Sequence, residues 1–123
     1  MRLILISAAV LLAAAPGAAR DKSIPAATPA GKAISCIPLR SIKQTVVRSD
    51  KVIDFYMNGG KVYRNELPIA CPSLGFEERF AHKSTIGDYC STDTITVLQS
   101  GAGLQPGATC GLGTFQPVTI AKR

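Results

Sequence analysis

At 123 residues the chain is long enough for one domain and too short for two large ones. Lys and Arg number 14 against 8 Asp and Glu, a net charge of +6, but the mature cations are scattered as Arg40, Lys43, Arg48, Lys51, Lys61, Arg64, Arg79 and Lys83. That spread excludes the basic cluster with interleaved aromatics of a nucleic-acid binder; it reads as a solubility feature with some attraction to anionic partners such as a cell-wall polymer.

The chain opens Met1-Arg2, runs apolar from Leu3 to Ala15, and leaves that run through Pro16-Gly17-Ala18-Ala19. A charged start, an apolar centre and a small-residue exit predict a secretory signal peptide over residues 1–19, with Gly17 and Ala19 in the small-residue subsites of the peptidase. The apolar run is about 13 residues where a spanning helix needs about 20, so no stable membrane span is expected after cleavage. Residues 20–35 carry two prolines, a glycine and almost no bulky apolar side chain, and read as a flexible Pro/Ala-rich tail. The domain proper is expected over 36–123.

From there the signals are for strands. Thr45, Val46 and Val47 favour extended structure. Ile53, Phe55 and Met57 alternate with Asp54 and Tyr56; Asn58-Gly59-Gly60 follows, then Lys61 to Glu66, which together predict a β-hairpin. A two-residue turn on Asn58-Gly59 or on Gly59-Gly60 gives the same faces. Ile53, Phe55, Met57, Val62 and Arg64 then lie on the core side, and Asp54, Tyr56, Lys61, Tyr63 and Asn65 on the other. Further strands are expected over 76–83, 94–98 and 115–120, the last with Pro117 at an edge or bulge, and Gly101 to Gly113 reads as irregular. The fold class is therefore all-β, a small antiparallel barrel or sandwich of about five to seven short strands.

The four cysteines, Cys36, Cys71, Cys90 and Cys110, all fall in the exported part, and an even count there predicts two disulfides. Zinc needs ligands in close pairs, whereas these cysteines are 35, 19 and 20 residues apart and the one histidine is His82. No metal or cofactor is expected. If the first three strands form a meander, Cys36 and Cys71 lie on the order of 20 Å apart at about 3.3 Å per residue, beyond the roughly 7 Å that a bridge spans. Barrel closure, with the last strand meeting the first, then favours Cys36–Cys110 with Cys71–Cys90.

Catalytic constellations are weak. Glu77 and Glu78 are adjacent and would diverge on a strand. His82 with Ser84 or Asp88 lacks a nucleophile elbow. The glycines from Gly101 to Gly113 do not lead from a strand into a helix, as a phosphate loop does. No catalytic residue is assigned. The candidate binding patch is Tyr56, Lys61 and Tyr63, two aromatics and a cation able to stack on a sugar or hold a protein partner.

The segments Cys71-Pro72-Ser73-Leu74-Gly75-Phe76-Glu77 and Thr109-Cys110-Gly111-Leu112-Gly113-Thr114-Phe115, with the Ile53-Asp54-Phe55-Tyr56 hairpin strand, resemble a family of small exported proteobacterial proteins of unknown function over residues 36–118. The resemblance implies the domain extent and a Gram-negative periplasmic or secreted location, and it supplies no site residues. The expected function is a non-enzymatic binding or structural module of the cell envelope, with an envelope protein or an anionic cell-wall polymer as partner. The alternatives are a small inhibitor of an exported enzyme, by fold-level analogy, and a hydrolase with an unrecognised site.

Overall fold

A computed structural model describes residues 24–84, 86–101 and 103–121. The expected signal peptide lies outside the described residues. In chain order the strands are β1 (Ala27–Pro29), β2 (Cys36–Pro38), β3 (Ile42–Val47), β4 (Val52–Met57) and β5 (Val62–Glu66). A four-residue helix, α1 (Leu74–Glu77), precedes β6 (Phe80–His82), β7 (Asp88–Cys90), β8 (Thr94–Gln99), β9 (Gln105–Gly111) and β10 (Phe115–Ile120). The all-β antiparallel expectation holds, but the strands form three open sheets, ordered β1-β10-β5-β4-β3, β6-β8-β9 and β2-β7, and do not close into a barrel. Among the described residues ten strands replace the expected five to seven because β1, β2, β6 and β7 are only three residues each, too short for alternation to show in the sequence.

The hairpin β4–β5 forms where expected, but in a different register. Met57 N–H donates to the Lys61 carbonyl at 2.8 Å and Gly60 N–H to the Met57 carbonyl at 3.2 Å, so Asn58, Gly59 and Gly60 make a three-residue loop. Gly59 and Gly60 carry φ of 92° and 91°, a region other residues enter at a steric cost. The third loop residue moves the pairing by one position, to Phe55 opposite Tyr63 and Asp54 opposite Arg64. A one-residue slip reverses every side chain of a strand. Tyr63 and Asn65 therefore face the core, and Val62 and Arg64 face outward, the opposite of the expected assignment.

Because β5 and β10 are neighbours, residues 67–114 form one excursion between two paired strands. Its elements close over the inner face of the large sheet. Phe55 and Phe115 are fully buried with Ile37 from β2, Ile53, Leu67, Leu74, Ile95 and Val97, in one core shared by all three sheets. Phe55 packs edge-on against Tyr89 and Phe115, at centroid distances of 5.2 and 5.4 Å. Asn65, also fully buried, acts as a surrogate strand residue: its Nδ2 donates to the Gly113 carbonyl at 2.7 Å and its Oδ1 accepts from Gly113 N–H at 2.8 Å. Position 113 requires glycine, since a Cβ there would collide with the Glu66 carbonyl.

The disulfides are Cys36–Cys90 and Cys71–Cys110, which corrects the expected Cys36–Cys110 and Cys71–Cys90. The expectation required the first strand of the domain to meet the last. Instead β10 pairs with β5 and β1, while β2 pairs with β7 and sets Cys36 directly opposite Cys90, with Cα atoms 4.1 Å apart. Two parts of the stretch expected as a flexible tail are paired. Ala27–Pro29 pairs with β10, and Ile34 bridges Phe115. Pro117 sits within β10 without breaking its ladder to β5. Its carbonyl accepts from Ala30 N–H on the β1 side, and a residue's N–H and C=O point the same way across a strand, so the missing donor faces the short edge. The strand expected over 76–83 begins only at Phe80, after α1, whose Gly75 sits against the Ser49–Asp50 turn; Gly75 N–H donates to Asp50 Oδ1 at 2.7 Å. Much of the expected irregular stretch 101–113 is β9, paired with β8.

Candidate functional site

The register of the hairpin parts Tyr56 from the other two residues of the expected patch. Tyr63 is buried at 8% exposure on the core face. Lys61 is exposed at the loop, its Nζ 5.3 Å from the centre of the Tyr63 ring. Tyr56 alone projects from the outer face of the large sheet, and its neighbours there are Arg48, Asp54 and Arg64.

These four side chains form one network. Asp54 is fully buried although it lies on the outer face, because two arginines cover it. Arg48 Nε donates to Asp54 Oδ2 at 2.9 Å; Arg64 Nε donates to Oδ1 at 2.8 Å and Arg64 Nη2 to Oδ2 at 3.0 Å. Such charge-assisted, forked contacts hold guanidinium planes in fixed orientations. Hydrogen bonding to Asp54 holds the Arg64 pKa above its ordinary value, so the guanidinium stays charged across the physiological range. Arg48 Nη2 then donates to the Tyr56 phenol oxygen at 2.8 Å, and Arg64 Nη2 reaches the Pro25 carbonyl at 3.0 Å. With two cations on one anion the cluster carries a net positive charge, and the two arginine side chains keep 21% and 17% of their surface in water. Beside Tyr56 lies a shallow depression of about 420 Å³ of mixed polarity, whose lining includes Gly60, Val62, Val118, Thr119 and Ile120.

The sequence marked Tyr56 and placed Arg64 on the other face. It missed Arg48. The available signal was parity: Gln44, Val46 and Arg48 alternate on one face with the core residue Val47 between them.

The other chemistry-bearing residues stay apart. His82 Nε2 lies 2.8 Å from Asp93 Oδ2, its side chain is 2% exposed, and its ring stacks on Tyr89 at 3.7 Å. Asp93 Oδ2 also accepts the Cys90 N–H at 2.8 Å, and the hydrogen bond from His82 holds its carboxyl below the usual carboxylate range. Ser84 does not join this pair; its hydroxyl accepts the N–H groups of Ile86 and Asp88 in the turn before β7. Glu77 accepts from the Ser100 backbone and hydroxyl. Among the described residues no group of His, Cys, Asp and Glu is placed to hold a metal ion, and no helix is long and apolar enough to cross a membrane. In comparisons with known proteins, no family model, no curated protein and no solved structure matches the chain.

Proposed function

We propose that the protein is an exported, non-enzymatic module of the cell envelope that binds another exported protein through the outer face of its large sheet at Tyr56. The observation that supports this reading is the Tyr56–Arg48–Asp54–Arg64 network. An aromatic ring fixed by an arginine, with surplus positive charge and a shallow depression beside it, matches the aromatic and arginine enrichment of protein interfaces. A side chain already held in place loses little conformational freedom on binding. Two disulfides suit the oxidising compartment that export implies.

Affinity capture from periplasmic extract with residues 20–123 as bait tests the reading. Wild type is expected to retain a partner that Tyr56→Ala and Arg48→Ala lose, while Lys61→Ala retains it. Identical captured sets for wild type and Tyr56→Ala, with both baits folded by circular dichroism, overturn it.

A further inference from the structure

Strand β3 is the outer strand of the large sheet, and no described strand pairs with its free side. Its phase follows from one hydrogen bond. Arg48 N–H donates to the Val52 carbonyl at 2.8 Å, so with Val46 opposite Asp54 and Gln44 opposite Tyr56 these even-numbered residues turn their backbone groups toward β4. Thr45 and Val47 turn theirs away. The Ile42 N–H is already committed to the Leu39 carbonyl. What remains is a pair of backbone donors and acceptors two residues apart, the spacing at which an added antiparallel strand pairs.

The other sheet edges are blunted in recognised ways. β1 is three residues long and ends in Pro29; β6, β2 and β7 are three residues each; β9 carries Pro106. β3 has six residues and no proline, and Lys43, Gln44 and Thr45 in its middle are exposed.

Charge decides what the edge accepts. Arg40 precedes the strand, Lys43 lies in its bulge between Ile42 and Gln44, and Lys51 follows it; all three are exposed, and among the described residues none is in an ion pair. Of the nearby acids, Asp50 is bound to Gly75 N–H and Asp54 is enclosed by Arg48 and Arg64. Two copies joined antiparallel through β3 would bring Arg40 and Lys43 of one against Arg48 and Lys51 of the other. Like charges facing across a strand pair disfavour that arrangement.

We propose that the free edge of β3 is a docking site for an extended acidic peptide, which adds to the five-stranded sheet as a further antiparallel strand. Backbone pairing at Thr45 and Val47 supplies the register, and Arg40, Lys43 and Lys51 select the charge. The site is separate from the Tyr56 face, so either can fail alone.

The test uses residues 20–123 labelled with ¹⁵N and a short end-capped peptide in which Glu alternates with Val or Thr. The Thr45 and Val47 amides are expected to gain about tenfold or more in hydrogen-exchange protection at saturation, about 1.4 kcal/mol by the standard conversion. Double reversal, Arg40→Glu with Lys43→Glu, is expected to weaken binding about tenfold or more and to flatten its salt dependence. Thr45→Pro removes an edge donor without touching the ladder to β4 and is expected to do the same. If Thr45→Pro unfolds the domain, N-methylation of alternate residues in the peptide removes the same bonds from the other side. Tyr56→Ala is expected to bind the peptide unchanged. Equal binding of a peptide with Lys in place of Glu, unprotected Thr45 and Val47 amides, or a β3-mediated dimer in sedimentation would each overturn the proposal.

Discussion

Between Ile42 and Glu66 the chain makes three strands joined by tight turns, each paired with the one before it. Between Leu67 and Thr114 it makes a short helix and four strands, of which β6 and β7 pair out of order, β7 with β2 and β6 with β8, while β8 pairs with the next strand, β9. The first stretch is held by ladders interrupted only at the Lys43 bulge and by the buried Asp54 network. The second has three of the four cysteines, one end of Cys36–Cys90 and both ends of Cys71–Cys110. Local pairing needs little help to close, because few residues lose freedom for each contact made. Long-range pairing of three-residue strands does not cover its own entropy, and here the covalent links make up the difference.

The largest effect expected from that contrast is on reduction. The bridges span 54 and 39 residues, and chain-entropy reasoning assigns about 2–4 kcal/mol to each, close to the whole stability of a small domain. Denaturant unfolding with and without reductant measures the loss. Hydrogen exchange in mild reductant is expected to show β6 to β9 opening before the Phe55 and Tyr63 amides of the hairpin. Simultaneous loss of protection would make the two stretches one cooperative unit.

Next in size is Asp54→Ala. It leaves Arg48 and Arg64 facing each other over an empty site, and the expected loss is about 3 kcal/mol, at the low end for breaking a buried pair because both arginines reach water. A double-mutant cycle with Arg64→Met is expected to recover part of it. An Asp54→Ala loss within about 0.5 kcal/mol, the range of ordinary surface changes, would mean that the ladder alone holds the first stretch. Asn65→Ala comes third. It removes both bonds to Gly113 and leaves that backbone unsatisfied, for about 2 kcal/mol, and it should loosen the junction of the excursion with β10 more than the hairpin. Chemical shifts of Gly113 and Phe115 against those of Phe55 and Met57 separate the two outcomes.

Legibility in the sequence follows the same division. The alternation Ile53, Phe55, Met57 and the Asn58-Gly59-Gly60 stretch located the hairpin, because period two and turn chemistry are both local. They did not fix the faces: two consecutive glycines accommodate a loop of two or three residues, and that one residue decides whether Tyr63 or Arg64 is buried. In the excursion the strand expected over 94–98 forms as β8, but most of the rest was silent. Strands as short as Phe80–His82 and Asp88–Cys90 carry no measurable period, and Cys36 cannot be matched to Cys90 without knowing that β2 crosses to β7. In the candidate site, Tyr56 was legible as an aromatic in an alternating strand. Arg48 was not, because its role depends on the β3–β4 register and on a carboxylate six residues away.

The smallest effect concerns pH and sits inside the excursion. The Asp93 carboxylate joins β6 to the end of β7 by taking bonds from His82 and from Cys90 N–H, and its pKa is lowered chiefly by the His82 contact. A carboxyl whose native pKa is depressed contributes stability that is complete above its unfolded value, about 3.9, and disappears as pH falls through the native value. Asp93→Asn keeps an oxygen for Cys90 and loses the charge. The expected cost is about 1–2 kcal/mol at pH 6, and it shrinks at acid pH as the wild-type carboxyl becomes protonated in its turn. Urea midpoints of the two proteins at both pH values give the difference. Because the hairpin has no part in this pair, exchange at Phe55 and Tyr63 is expected to be the same in both proteins, while the Cys90 amide opens faster in the variant. A cost that stays constant with pH would place Asp93's contribution in packing and not in its charge, and would leave the excursion dependent on its disulfides alone.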